Sequence, residues 1–560
     1  MSSRTFIGRL GRLGQIGKLG KLGKLGKLGK LGKLGKLGAL ATIPTAVLLA
    51  GCPDDAPQFE EPFETIGPVA FGGRVAFVDQ RRAEVHLITP ELGSGPIDHD
   101  IVEIGRDPQV VATDLDAGRL LVLTHGSAGA PGVTEEEEAI WAIEPNGEAT
   151  RYEVRSPFTA IGVHPDGDRL FLYFDQTVLS RSELVYNPHE VATVDLSEPP
   201  SGSNPALKTV RSFELVPTRA IFSPPLQIAG ETIDFVAVLA SDFVTLVDLD
   251  HPDRREVSIP LTLDPALEAV QPLEVVFSQP NPAIDPVVYV SAQGSTDVFA
   301  FTLREIEEVS EGGHFFSVAP NLYAVGAMPT DLQPATLATG EALLVATGTA
   351  TLWVIDTTTS EATPISLEAP VRDIVPVRAS DGTISQAILF AAGGNVVHFV
   401  QLEGLEDSVL REVDAVALAA PVGGVSPLPD GTTAAVFHAD ANRSVSILRL
   451  ADHSVSALTA TAPLDRTVFS ADGARAFVAS SFDARLSVID VATRHPEDLR
   501  LDEVPTGLVL VPGPEILVVT HEAEAGLVTF VDATQPSRST ARMLEGFLLE
   551  GLLDRNGEIR

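Results

Sequence analysis

One short β-strand pattern recurs ten times along this chain of 560 residues. Each copy is a run of five residues, rich in β-branched and aromatic types, that ends in an apolar residue followed by a polar one, usually Asp. The copies are 85–89, 140–144, 191–195, 244–248, 298–302, 352–356, 397–401, 445–449, 486–490 and 528–532, a mean step of about 49 residues. A unit this short cannot bury its own apolar face, so the repeat predicts units that pack against one another.

Each copy follows a second apolar strand, and a third short apolar run lies further upstream. Several of the second strands are preceded by an Asp-Gly turn, as in His164-Pro-Asp-Gly167, Leu428-Pro-Asp-Gly431 and Ser470-Ala-Asp-Gly473. Asp-Gly supplies the positive φ of a hairpin turn without steric cost. Three or four strands per 40 to 50 residues, joined by tight turns, are typical of a propeller blade. The sequence therefore predicts an all-β fold, a β-propeller of about 8–10 four-stranded blade repeats over residues 69–541.

The copy at residues 469–494 resembles the YVTN/YncE-type propeller repeats of bacterial surface proteins along its whole length. Other copies match that pattern in part, and together they cover about residues 69–540. The resemblance implies a propeller fold and leaves the function open, because such folds include both binding proteins and enzymes. Trp141 and Trp353 occupy the same register in their copies, which favours packing in the blade core over a platform for ligand stacking.

Ten repeats exceed the four to eight blades usual for one ring. Three arrangements stay open from the sequence: one unusually wide ring, irregular copies that act as insertions, or more than one ring. The C-terminal segment 542–560 is expected to close the structure, either by pairing with the first blade or as a short terminal helix. Closure matters because an open ring would expose strand edges that promote aggregation.

The first 51 residues differ in charge from the rest of the chain. They contain ten Lys and Arg residues and no Asp or Glu, a charge of +10. Since the formal net charge of the chain is −37, the remaining residues carry −47. Glycine recurs at every third position from Gly8 to Gly38, mostly as Gly-Lys-Leu. The run lacks the proline of collagen and the period of an amphipathic helix, so it is interpreted as a flexible cationic stretch. A basic segment that pauses on anionic lipid before export is the alternative.

The apolar run 39–51 is too short to span a bilayer and is typical of the central part of a signal peptide. It ends in Leu49-Ala50-Gly51-Cys52, which resembles the lipobox of bacterial lipoprotein signal peptides and contains the only cysteine of the chain. The resemblance implies that residues 1–51 form a cleaved signal peptide, with Leu49, Ala50 and Gly51 as the cleavage motif, and that Cys52 receives the lipid. The acidic, Pro-rich residues 52–68 would then be a tether, and Pro53 after the cysteine favours the outer membrane.

Candidate sites for chemistry are few. The terminal Asp residues 195, 248, 356, 490 and 532 form either a repeated ligand set or, as we expect, acceptors for backbone N–H groups in the turn after each strand. Asp98-His99-Asp100 would place two carboxylates on one strand face, either as a cation site or simply on an exposed outer strand. The outer strand is the interpretation we prefer.

His125 and His521 each follow a predicted second strand, where propeller loops can face the central channel. They are the channel-mouth candidates, although structural histidines with satisfied hydrogen bonds are the more frequent case. The sequence contains no zinc-protease, nucleophile-elbow or phosphate-loop motif, so it assigns no catalytic residue, metal ligand or cofactor.

Two functions follow as hypotheses. The first is a lipid-anchored propeller of the bacterial cell envelope that acts as a non-catalytic binding or assembly scaffold, held to the membrane by its N-terminal lipid. The second is an envelope hydrolase of the lactonase kind with a site at the channel. A body of charge −47 repels nucleic acid and anionic lipid. Divalent cations and basic faces of envelope proteins are the contacts that this charge permits.

Overall fold

The computed structural model describes residues 65–549 and 553–554, apart from the segments 115–117, 128–135, 176, 178–186, 212–216, 241–242, 262–269, 279–283, 307–314, 338–339, 379–382, 406, 408–409, 440–442, 461–465, 481 and 524. The described residues form ten antiparallel blades arranged as a β-propeller, which confirms the predicted fold. The predicted signal peptide 1–51 and most of the tether 52–68 lie outside the described residues. No helix in the described part of the chain is long and apolar enough to cross a membrane.

Each blade contains four strands, named A to D in chain order, and blade 10 has a fifth, β43 Leu553–Asp554. Blade 1 contains β1 Thr65–Phe71, β2 Arg74–Asp79, β3 Glu84–Ile88 and β4 His99–Glu103, and blade 2 contains β5 Pro108–Asp114, β6 Arg119–Thr124, β7 Ala139–Ile143 and β8 Ala149–Glu153. Blade 3 contains β9 Ala160–Val163, β10 Arg169–Tyr173, β11 Glu190–Asp195 and β12 Ala206–Thr209, and blade 4 contains β13 Arg219–Phe222, β16 Phe235–Leu239, β17 Phe243–Asp248 and β18 Val257–Pro260, with the inserted hairpin β14 Leu226–Ile228 and β15 Glu231–Ile233. Blade 5 contains β19 Gln271–Phe277, β20 Val287–Gln293, β21 Asp297–Ile306 and β22 Phe315–Ala324.

Blade 6 contains β23 Asp331–Leu337, β24 Gly340–Ala346, β25 Thr351–Asp356 and β26 Glu361–Ser366, and blade 7 contains β27 Asp373–Arg378, β28 Ile384–Phe390, β29 Val396–Gln401 and β30 Val413–Ala417. Blade 8 contains β31 Val422–Pro427, β32 Thr433–His438, β33 Ser444–Arg449 and β34 Val455–Thr459, and blade 9 contains β35 Arg466–Phe469, β36 Arg475–Ala479, β37 Arg485–Asp490 and β38 Pro496–Arg500. Blade 10 contains β39 Pro505–Val511, β40 Ile516–His521, β41 Leu527–Asp532, β42 Arg542–Glu545 and β43 Leu553–Asp554.

The first strands of neighbouring blades contact one another, so strand A is innermost. Because pairing is antiparallel, the A–B and C–D turns share one face, here called the lower face, and the B–C and D–A connections share the upper face.

Strands B and C carry the repeated apolar pattern because both of their faces are covered by neighbouring blades. All six residues of β2 and all six of β40 are buried. Strand D has one open edge and often alternates, as in β18, where Val257 and Ile259 are buried and Ser258 is exposed. A continuous apolar run and an alternating one are the expected signatures of these two environments.

Ten clusters of buried apolar side chains hold the described ring together, one between each pair of consecutive blades. The cluster that joins the ends of the series combines Val75, Phe77 and Ile88 of blade 1 with Phe530 and Phe547 of blade 10. The ten blades therefore form a single closed ring. Of the three arrangements that the sequence left open, the wide ring is the one found.

The C-terminal segment closes the ring without exchanging a strand. β42 pairs with β41 of its own blade and β43 pairs with β42, so the described part of the tail does not pair with the first blade. After β42 the chain forms a 3₁₀ turn, Phe547–Leu549, and the Phe547 ring lies 4.6 Å from the ring of Phe77. Arg82 of blade 1 donates to the carbonyl oxygen of Leu548 at 2.9 Å. At the other end, β1 begins at Thr65, four residues before the predicted start of the propeller.

Both tryptophans lie on strand C and pack between blades, as predicted. Trp141 packs against the cluster between blades 1 and 2, and Trp353 against the cluster between blades 5 and 6. The Trp141 Nε1–H donates to Thr124 Oγ1 at 3.3 Å. Their shared register therefore reflects core packing.

The predicted Asp-Gly turns are A–B turns on the lower face. Gly167, Gly431 and Gly473 have φ values of +82°, +65° and +69°. Gly167 has a second constraint, because a Cβ added there would lie 2.4 Å from Asp114 Oδ1 of the preceding blade. Gly431 has no atom within 4 Å of such a Cβ.

Gly167→Ala is therefore expected to destabilise the protein more than Gly431→Ala. The matched variant Gly431→Ala carries only the cost of a positive φ, about 1 kcal/mol. Gly167→Ala adds overpacking against a carboxylate, about 1–3 kcal/mol more. Urea unfolding monitored by circular dichroism measures both. Equal losses of stability in the two variants would show that the Asp114 contact does not constrain the turn.

Candidate functional site

The two channel-mouth candidates lie in different blades. His521 ends β40 of blade 10 and His125 follows β6 of blade 2, with blade 1 between them. The His521 Nδ1–H donates to the Glu503 carbonyl oxygen at 3.0 Å, and Nε2 lies 2.9 Å from Thr529 Oγ1. Burial lowers the pKa of His521. No hydrogen bond or ion pair joins the two histidines, and their assignment to a channel site stays a prediction.

His438 of blade 8 repeats the contacts of His521. Its Nδ1 lies 3.2 Å from the Pro421 carbonyl oxygen and its Nε2 lies 3.0 Å from Ser446 Oγ. In both blades the histidine ends strand B and its hydroxyl partner follows eight residues later on strand C. That shared spacing was available in the sequence, and it marks a structural tie between strand C and the preceding D–A connection.

The terminal Asp residues are turn acceptors, as we expected. Asp356 Oδ1 accepts the backbone N–H groups of Thr358 and Thr359 at 2.8 and 2.9 Å. Asp490 Oδ1 accepts the backbone N–H of Thr493 at 2.7 Å, and the hydrogen bonds from Thr493 lower the pKa of Asp490. The equivalent contacts are made by Asp195 to Ser197, by Asp248 to Asp250 and His251, and by Asp532 to Thr534 and Gln535. The five carboxylates therefore belong to five separate C–D turns.

The Asp98-His99-Asp100 segment lies at the outer strand of blade 1, where both carboxylates bind a cation of the protein itself. Arg74 Nη2 is 3.0 Å from Asp98 Oδ2 and 2.8 Å from Asp100 Oδ2. His99 lies on the other face of the strand, with Nε2 3.1 Å from Nδ1 of the buried His86. Burial lowers the pKa of His86 to about 4. A guanidinium thus takes the place proposed for an external cation.

Arginines at the start of strand B link consecutive blades, and the sequence analysis did not find them. In blades 1, 2, 3 and 9 these residues are Arg74, Arg119, Arg169 and Arg475. Each contacts the following blade, through Pro145 O, Asp168, Asp234 and Ala533 O respectively. In the sequence, each of these arginines follows the glycine of an A–B turn by one or two residues. The contacts named here are made to residues of the next repeat, which that local pattern does not indicate.

A dense group of ionisable side chains lies on the lower face between blades 3 and 4. We call it the blade 3–4 charge cluster: His164, Asp166, Arg169, Asp234 and Asp250. His164 Nδ1 is 2.8 Å from Asp166 Oδ1, and Arg169 Nη2 is 2.7 Å from Asp166 Oδ2. Arg169 also pairs with Asp234, and its Nη1 is 2.7 Å from Asp250 Oδ1.

Two members of the cluster are buried, whereas Asp166 and Asp250 are 38% and 33% exposed at its rim. His164 is 4% exposed and Asp234 is 7% exposed. The Phe222 ring lies edge-on to the imidazole of His164, with centroids 5.3 Å apart. Burial acts to raise the pKa of Asp166, but hydrogen bonds from Arg169 and His164 outweigh it and lower that pKa. The carboxylates likewise outweigh burial and raise the pKa of Arg169.

This arrangement does not resemble a nucleophilic active site. In the described part of the chain, no Ser, Thr or Cys side chain is hydrogen-bonded to His164. A base without a hydroxyl or thiol to activate lacks the pairing that covalent hydrolysis needs. The geometry supports a connection between two blades, with the guanidinium shared among three carboxylates.

A solvent-open groove of about 320 Å³ lies between blades 8 and 9 on the same face. Its lining includes Asp430 and Arg449 of blade 8 and Asp472 and Arg494 of blade 9. Charges of both signs in an open groove suit contacts with a polar partner more than enclosure of a small apolar molecule.

No protein-family model matches the sequence, and no curated protein is similar to it. Among solved structures, dihydro-heme d1 dehydrogenase NirN is 13% identical, with 71% of this chain and 69% of that chain covered and a TM-score of 0.35. The β-propeller domain of Cps50 (Swd1) from Myceliophteria thermophila is 13% identical, with 62% of this chain and 96% of that chain covered and a TM-score of 0.33. A chain of the mitotic checkpoint complex is 15% identical, with coverages of 58% and 93% and a TM-score of 0.30. At these scores the similarities carry no argument, and the propeller assignment rests on the blade topology of this chain.

Proposed function

We propose that this protein is a lipid-anchored β-propeller of the bacterial cell envelope that acts as a non-catalytic binding or assembly scaffold. One observation supports the scaffold role most directly: the candidates that the sequence predicted are engaged in turns, in strand contacts or in ion pairs within the blades. A ring whose polar groups are used to fix its own shape offers a rigid surface to partners. The groove between blades 8 and 9 is the proposed contact region.

The anchor is supported by sequence alone, since Leu49, Ala50, Gly51 and Cys52 lie outside the described residues. Two or three acyl chains on Cys52 would hold the protein stably, at ~0.8 kcal/mol per buried methylene. The acidic body opposes adsorption to anionic lipid, so the proposed membrane contact is through the lipid and the tether. Pro53 supports the outer membrane as the location.

The alternative, an envelope hydrolase of the lactonase kind, needs ionisable side chains from several blades to converge on a substrate. Within the described residues, the blade 3–4 charge cluster brings His164, Asp166 and Asp234 together. Arg169 already binds carboxylate oxygens of both Asp residues, and His164 has no nucleophile to activate. We therefore favour the scaffold.

Cys52→Ser is expected to release the protein from membranes into the soluble fraction, because serine offers no thiol for lipid attachment. Sedimentation of envelopes after a high-salt wash, followed by immunoblotting, measures the effect. Pro53→Ala is the matched control and is expected to stay with the membranes. If the Cys52→Ser protein also sedimented with washed membranes, the anchor would have to be abandoned.

A further inference from the structure

The blade 3–4 charge cluster has an excess of negative charge. Three carboxylates, those of Asp166, Asp234 and Asp250, contact the single guanidinium of Arg169, which leaves a formal charge of −2. A charge taken out of water is costly unless it is paired, and Asp234 is almost completely buried. One more cation of charge +2 would balance the cluster.

Two buried polar atoms in the cluster lack a hydrogen-bond partner. They are Nε2 of His164 and Oδ1 of Asp234, on side chains that are 96% and 90% buried. Buried polar atoms are nearly always paired, so each such exception needs a cause. An imidazole nitrogen 2.8 Å from a carboxylate oxygen, as in His164 and Asp166, also requires a proton or a metal ion between two lone pairs.

The positions of the donor atoms suit a metal ion. His164, Asp166 and Asp234 each offer one ligand atom, and these three atoms lie within 4.8 Å of one another. Ligand atoms around tetrahedral zinc lie about 3.4 Å apart, so side-chain rotations that close the group by about 1 Å are enough. Arg169 contacts the Oδ2 atoms of both Asp residues. Asp234 Oδ1 has no partner, and Asp166 Oδ1, which accepts the Asp168 N–H at 3.0 Å, has a second lone pair for the ion.

We propose that the blade 3–4 charge cluster binds one divalent transition-metal ion, such as Zn²⁺, through His164, Asp166 and Asp234. The imidazole selects for zinc-like ions over Ca²⁺ or Mg²⁺, which prefer oxygen ligands alone. Arg169 holds the outer oxygens of the two carboxylates and orients them toward the ion. The ion joins blade 3 to blade 4, because His164 and Asp166 lie in the A–B turn of one blade and Asp234 precedes strand B of the next.

The repeats themselves show that the turn does not need the histidine. In blade 9, Ser470, Asp472 and Arg475 take the places of His164, Asp166 and Arg169, and Ser470 Oγ donates to Asp472 Oδ1 at 2.6 Å. In blade 8, Leu428 stands at the histidine position. A hydroxyl or an apolar side chain is therefore enough to form the turn, and the imidazole in blade 3 serves something else.

The test is a calorimetric titration of the purified full chain, stripped of metal by a chelator, with Zn²⁺. We expect one tight site per chain, weakened at least about tenfold in His164→Gln, Asp166→Asn and Asp234→Asn. Asp472→Asn, the equivalent residue in blade 9, is the matched control and is expected to bind like the wild type. Visible absorption of the Co²⁺ complex, with bands lost in His164→Gln, provides a second readout of imidazole ligation.

Circular dichroism and metal-free melting temperatures establish that each variant is folded. Asp166→Asn is included because the Asp166 side chain is the most exposed of the three, so its replacement disturbs folding the least. Absence of a one-to-one site in the wild type overturns the proposal, as does unchanged binding in a folded His164→Gln or Asp234→Asn variant. Loss of binding in Asp472→Asn would also overturn it, because that residue lies in another turn.

Discussion

Replacing Phe477 by Asp is expected to prevent folding of the ring. Phe477 is 0% exposed, in the cluster between blades 9 and 10. The substitution removes a buried phenyl ring, at about 3–5 kcal/mol, and places a carboxylate where it has no partner, at several kcal/mol more. Because a typical domain is stable by about 5–15 kcal/mol, little or no stability would remain. Far-UV circular dichroism and resistance to limited proteolysis measure the outcome.

The same blade offers a matched control five residues further on. Phe482 is 78% exposed in the connection between strands B and C. Phe482→Asp is expected to change the free energy of unfolding by no more than about 0.5 kcal/mol. If the Phe477→Asp protein melted like the wild type, the assignment of Phe477 to an interface between blades would be wrong.

The second large effect is expected from Arg169→Met. The variant leaves Asp166, Asp234 and Asp250 without their shared guanidinium, and Asp234 is the most deeply buried of them. Removing one partner of a buried ion pair costs about 3–5 kcal/mol, because the remaining charge stays buried and uncompensated. Chemical unfolding in metal-free buffer measures the loss.

Arg304→Met is the control for Arg169→Met, because Arg304 pairs with Asp285 while both side chains are mostly exposed to solvent. An exposed pair contributes less than about 1 kcal/mol. Comparable losses in the two variants would show that the carboxylates around Arg169 are well solvated. In that case the cluster would not fix blade 3 against blade 4.

The fold was predictable because its cause repeats along the chain. Burial of strands B and C on both faces produces the ten apolar runs, and several A–B turns have a glycine at a positive φ. Closure was not predictable in the same way. It depends on single contacts between the first and last blades, such as Phe77 with Phe547, and no local pattern links two such distant residues.

The residues of the candidate site were likewise predictable only where their partners lie close in the sequence. The carboxylates at the ends of strands C were predicted as turn acceptors because their partners lie two or three residues away. The arginines at the start of strand B were missed because their partners belong to the next repeat, roughly one blade further along. The His164, Asp166 and Asp234 set likewise has no spacing motif, since its members come from two blades and face each other only after the ring has formed.

The seam between blades 10 and 1 is packed with apolar side chains like the other nine junctions, and within the described residues no strand pairs across it. Each blade is a self-contained sheet, and the ring needs no backbone clasp at any one place. The structure of the ring therefore does not depend on which junction between blades holds the chain termini. New ends opened at a different junction, with the old ends joined by a linker, should give a circular permutant of the same ring.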